Sequence, residues 1–170
     1  GTRIYSFIGV LRLLEEKNML HNIENIIGTS SGSVIALFLC LGFTVSEIEE
    51  ILLNINAESL KTIDPNNILN FFNEYGIDDA KNIKKIMKII FKAKLKKENV
   101  TFKELFDINK KTLVICATCL NKNECVYFNH TDYPDLFVND AIIMSISVPI
   151  LFKPTKFEDN YYVDGGLTNH

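Results

Sequence analysis

The sequence predicts an α/β fold built on a central, mostly parallel sheet, and three observations carry that expectation. Short β-prone runs alternate with helix-length segments near both ends of the chain, with a helical insertion between them. A glycine-flanked turn, Gly28-Thr29-Ser30-Ser31-Gly32, joins the apolar run Ile26-Ile27 directly to the long apolar segment Val34 to Leu41. A second β-prone run, Tyr161-Tyr162-Val163, ends on Asp164-Gly165-Gly166. Both turns therefore fall at the carboxyl ends of strands, where α/β sheets gather their chemistry.

The elements follow in order. Gly1-Thr2-Arg3 leads into a helix whose apolar positions Ile4, Phe7, Ile8, Leu11 and Leu14 recur at helical spacing, opposite a face with Arg12, Glu15, Glu16 and Lys17. Gly42 ends the helix after the elbow, and Thr44 with Glu47 forms a capping box for a helix through Asn54. Asp64-Pro65 starts another, running to Tyr75, because proline suits a first helical turn. A basic helix is expected from Asp79 to Lys97, with Ile83, Ile86, Met87 and Ile90 as its apolar stripe and Ile89 and Phe91 off it. Thr101 and Glu104 cap a short helix. Thr112 to Cys119 is a strand, paired with Glu124 to Phe128 through a turn at Asn121-Lys122-Asn123. A helix over Leu136 to Val148 precedes Pro149.

Length and composition narrow the class. At 170 residues and 47% hydrophobic, the chain suits one domain with a sizeable core. A net charge of −3 gives no reason to expect nucleic acid, and no run approaches the roughly 18 apolar residues of a membrane span. Cys116 and Cys119 lie at an odd offset on a strand, so their side chains leave opposite faces and suit neither metal nor disulfide. With Cys40 and Cys125 they read as reduced, mostly buried thiols, which fits a cytoplasmic setting. No Asp/His cluster has ligand spacing, so no metal or other cofactor is expected.

The chemistry sits in the two turns. Gly-x-Ser-x-Gly between strand and helix is the pattern of a nucleophile elbow. Glycine on each side relieves crowding at so tight a turn, and Ser30 is lifted to a helix N-terminus, whose free N–H groups favour a developing anion. Asp164, at a strand end beside two glycines, is placed to take a proton from a serine hydroxyl. Free N–H groups at Gly1, Thr2 and Arg3 can form an oxyanion hole. Each piece alone also fits a plainer reading: a small-residue turn, an Asp-Gly turn, a helix start.

Together and in order, these pieces resemble the patatin-like phospholipase family over nearly the whole chain. The family's Gly-rich loop and basic residue appear as Gly1 and Arg3, followed by Gly9; its elbow is Gly28 to Gly32; its Asp-Gly-Gly is Asp164 to Gly166. A helix ending at Pro149, then Phe152 and Pro154, also matches. The chain departs from the pattern in holding one glycine in the first loop and Ile4 where a glycine is usual. The resemblance implies a three-layer fold, a single domain over 1–170 cut short at both ends and missing its first strand, and a Ser30–Asp164 dyad that cleaves phospholipid acyl esters without a cofactor. Gly28, Gly32, Gly165 and Gly166 are the motif glycines.

Two alternatives stay open. A Ser–His–Asp esterase would use His170 or His130, although neither stands at a convincing spacing; His21 lies before the elbow strand. An inactive lipid-binding or scaffolding domain would account for the thin glycine loop. Lys84, Lys85, Lys88 and Lys92 beside an apolar stripe suit either peripheral contact with anionic lipid or a solvated face. Oligomeric state is not legible.

Overall fold

The computed structural model describes residues 6–54, 76–78 and 81–168. Gly1, Thr2 and Arg3, the helix expected from Asp64 to Tyr75, and His170 lie outside them. The first helix, α1 (Ser6–Glu16), buries Ile8 and Leu11. β1 (Asn25–Thr29) leads through Ser30 into α2 (Ser31–Cys40), which is apolar and accordingly buried along most of its length. α3 (Val45–Asn54) starts with the expected reciprocal cap: the Thr44 N–H donates to Glu47 Oε2 at 2.7 Å, and the Glu47 N–H donates to Thr44 Oγ1 at 3.2 Å. The same device opens the helix Phe102–Asn109, where Thr101 and Glu104 cap each other.

Between these lie β2 (Gly76–Asp78) and the basic helix α4 (Lys81–Leu95); Phe102–Asn109 is α5. α4 corrects the expected stripe. Phe91 is fully buried and Ile89 is 68% exposed. Phe91 lies one helical turn beyond Met87, itself buried, so it belongs to the core stripe; Ile89 lies off it and faces solvent.

β3 (Thr112–Cys119) is the hub of the sheet. β1 runs parallel to its first half, with Asn25 opposite Thr112 and Thr29 opposite Cys116. β7 (Asn160–Asp164) runs antiparallel to its second half, with Tyr162 opposite Cys119 and Asp164 opposite Ala117. β4 (Glu124–Phe128) pairs with Ile115 to Cys119, and because those residues also face β1 or β7, β4 must occupy the opposite edge. The α6 helix (Val138–Ile146) packs on β3 and β7; β5 (Ile150–Phe152) pairs with β2, and β6 (Thr155–Phe157) extends the sheet beyond β7.

The class is α/β as expected, but the sheet is mixed rather than mostly parallel. Among the described residues β1–β3 is its parallel pair, while β3–β4, β3–β7 and β6–β7 are antiparallel. The short turns explain two of these: residues 120–123 and 158–159 leave room only for hairpins. α6 also stops short of the expected Val148, because the residue before Pro149 is driven out of helical torsions. From Ile115 onward β3 is buried on both faces, so Cys116 and Cys119 are both covered although they point opposite ways. Phe38, Phe91, Phe102 and Phe128 fill the core.

Candidate active site

The strand pairing brings the two predicted turns together. β1 and β7 lie end to end on one edge of β3, running toward each other. Their last residues, Thr29 and Asp164, pair with Cys116 and Ala117, which are consecutive in the chain. Residues 135 positions apart in sequence, Thr29 and Asp164, therefore meet because a parallel and an antiparallel strand share one edge.

Each turn is fitted tightly into that junction. A side chain at Gly28 would place its Cβ 2.5 Å from the carbonyl oxygen of Gly32 and 2.6 Å from Cα of Ser33. At Gly165 it would meet the Cys116 carbonyl oxygen at 2.5 Å and Thr29 Cγ2 at 2.9 Å. The expectation that both elbow glycines relieve crowding is corrected at Gly32: a Cβ there would meet only the Phe7 ring, at 3.9 Å. Gly32 is instead the backbone that Gly28 makes room for.

Ser30 adopts φ 54° and ψ −132°, a conformation costly for any residue with a side chain and concentrated at functional sites. A serine at a helix N-cap normally spends its hydroxyl on the helix's free N–H groups. Here the side chain does not cap α2, and the Ser30 carbonyl serves instead, accepting from the Ser33 N–H at 2.9 Å and the Ser33 hydroxyl at 2.6 Å. The Ser30 hydroxyl is thereby left out of the local helix bonding.

Asp164 is 6% exposed and divides its two oxygens. Oδ1 accepts from the Gly166 N–H at 2.8 Å, the ordinary use of aspartate in such a turn. Oδ2 is buried and has no hydrogen-bond partner among the described residues, which a buried carboxylate oxygen rarely tolerates without a role. The main chain around it is held on both sides: its N–H donates to the Ser147 carbonyl at 2.9 Å, and its carbonyl accepts from Thr118 Oγ1 at 3.0 Å.

Three residues of this network escaped the sequence reading: Ser145, Ser147 and Thr118. Of the six buried polar or charged residues among those described, five (Ser33, Thr118, Ser145, Ser147 and Asp164) belong to it. The available signal was two serines inside the apolar run Ile142 to Val148, since a buried hydroxyl must find a partner. Of the histidines, His21 is exposed, and His130 is half-buried and stacked on Phe106 with ring centroids 3.8 Å apart. His130 follows β4, on the edge of β3 away from β1 and β7. Among the described residues no helix is long and apolar enough to cross a membrane.

The chain is similar over 96% of its length to a probable lipid hydrolase of Invertebrate iridescent virus 6, with 32% identity across 56% of that protein. It is 30% identical, over 87% of its length and 48% of the relative, to an uncharacterized protein of Acanthamoeba polyphaga mimivirus. The chain thus spans about half the length of these curated relatives. The crystal structure of VipD from Legionella pneumophila shares the fold, with a TM-score of 0.64 at 17% identity over 99% of this chain and 45% of that one. The family model described as patatin-like phospholipase matches residues 1–170, and the chain belongs to that family.

Proposed function

We propose that the protein is a lipid acyl hydrolase of the phospholipase A type, working through a Ser30–Asp164 dyad. Ser30 Oγ attacks the ester carbonyl while Asp164 Oδ2 takes its proton. N–H groups of Gly1, Thr2 and Arg3 hold the tetrahedral oxyanion, with the Arg3 charge beside them. Collapse breaks the ester bond, the proton on Asp164 goes to the departing alcohol oxygen, and an acyl-enzyme remains. Water, giving its proton to Asp164, then attacks the acyl carbon and releases the fatty acid and the Ser30 hydroxyl. The observation that carries this reading is the end-to-end meeting of β1 and β7, with an unpaired buried oxygen on Asp164 beside the strained elbow. His130 is committed to Phe106 on the far edge, which speaks against a triad through that residue; His170, the other triad candidate, lies outside the described residues.

A fluorophosphonate probe and a phospholipid hydrolysis assay on the full-length protein test it. Wild type should be labelled and should release fatty acid; Ser30→Ala should do neither. Equal labelling of the two proteins overturns the assignment.

Peripheral contact with anionic lipid through α4 belongs to the same proposal. Lys85, Lys88 and Lys92 are exposed, while Lys84 is half-buried and pairs with Asp140 at 3.7 Å; Lys88 and Lys92 share Glu98 at 3.3 and 2.8 Å. Those exposed pairs are weak enough to exchange for lipid phosphate.

A further inference from the structure

We infer that Ser145 is a positioning residue: its hydroxyl holds the elbow in its strained form and sets Ser30 against Asp164. The inference rests on the reading of Ser30 as nucleophile. Ser145 is fully buried on α6. Its Oγ lies 2.9 Å from the Ser30 nitrogen and 2.6 Å from the Cys116 carbonyl oxygen. An N–H can only donate and a carbonyl can only accept, so the hydroxyl must accept from Ser30 and donate to Cys116. That fixes its orientation without ambiguity.

The bond is placed where it matters. The Ser33 contacts to the Ser30 carbonyl lie within the elbow's own helix and would move with it. Ser145 joins the elbow to the rest of the fold. Its other partner, Cys116, pairs with Thr29 and presses its carbonyl against Gly165, next to Asp164. Two residues on, the Ser147 carbonyl receives the Asp164 N–H. The end of α6 thus grips the backbone of both candidate catalytic residues. Without the Ser145 acceptor, the Ser30 N–H loses its partner and the positive-φ conformation loses its external support.

The test compares Ser145→Ala, Ser145→Thr, Ser30→Ala and Asn109→Ala in the full-length protein. Asn109 ties α5 to the Cys40 carbonyl, away from the site, and its loss controls for general destabilisation. Ser145→Ala should be labelled by fluorophosphonate about a hundredfold more slowly, the scale of a small misplacement of reacting groups. Its kcat on a small soluble ester should fall while KM holds. Ser145→Thr keeps the oxygen and should recover the rate; Asn109→Ala should label at the wild-type rate. Wild-type labelling of a folded Ser145→Ala, with Ser30→Ala unlabelled, overturns the inference and leaves the nucleophile standing. Wild-type labelling of Ser30→Ala removes both. Equal slowing of Asn109→Ala at matched thermal stability also overturns it. If Ser145→Ala does not fold, Ser145→Cys, close in volume and a poor acceptor, takes its place: slow labelling supports the inference, and wild-type labelling refutes it.

Discussion

At the junction of β1 and β7, polar groups are buried and bonded to fixed points of the fold, as Ser145 is to the Ser30 N–H and the Cys116 carbonyl. Along α4, charged groups stand in solvent and share partners, as Lys88 and Lys92 share Glu98. Both regions stand out in the sequence with similar force, one by glycines around Ser30 and Asp164, the other by a run of lysines. The difference between them is burial. A buried hydrogen bond has no water to replace it and so dictates geometry. An exposed ion pair competes with water and salt and dictates little. The junction should therefore be sensitive to single atoms, and the lysine face to the charge it carries as a whole.

The sharpest way to break that comparison is Asp164→Asn. It keeps the turn acceptor toward Gly166 and removes the base, so hydrolysis should fall by about 10²–10⁴-fold while the circular-dichroism melting curve stays close to wild type. Retained activity would put Asp164 back among ordinary turn residues. On α4 the largest effect should come from the apolar side. Phe91→Ala should cost about 3–5 kcal/mol in denaturant unfolding, whereas Ile89→Ala, on the exposed face, should stay within about 0.5 kcal/mol. Comparable losses would mean that the stripe is drawn wrongly.

Within the junction, the two elbow glycines should separate. Gly28→Ala pushes a methyl group into the backbone of Gly32 and Ser33 and should destabilise by about 1–3 kcal/mol or more. Gly32→Ala meets open space near Phe7, inside a helix, and should be neutral or stabilising by up to about 1 kcal/mol. Replacing Lys84, Lys85, Lys88 and Lys92 together by glutamine should also affect folding little, since each exposed pair contributes under about 1 kcal/mol. The same variant should bind anionic vesicles as weakly as wild type does at high salt, with hydrolysis of a soluble ester unchanged. Unaltered vesicle binding would reduce α4 to a solvated face.

Much of this architecture was legible locally. The Thr44–Glu47 and Thr101–Glu104 caps, the β3–β4 hairpin and the strand–turn–helix around Ser30 each depend on residues a few positions apart. Misreadings arose where the pattern was short or two-dimensional. β5 and β6, of three residues each and flanked by Pro149 and Pro154, are too brief to show alternation. Phe91 falls outside the expected stripe although it stands four residues beyond Met87. Ser145 and Ser147 look like tolerated serines in an apolar helix until their partners are in view.

From residue order alone came the α/β class, the local elbow and the turn at Asp164, because glycine placement, capping chemistry and periodicity act over one or two turns of chain. The meeting of Thr29 with Asp164 on neighbouring residues of β3 belongs to the tertiary structure. So do the mixed sheet, the seat of Ser145 beneath Ser30 and the unpaired oxygen of Asp164. Each depends on which edge a distant strand occupies. That choice is made by burying whole faces of strands and helices against one another, and no local pattern records it.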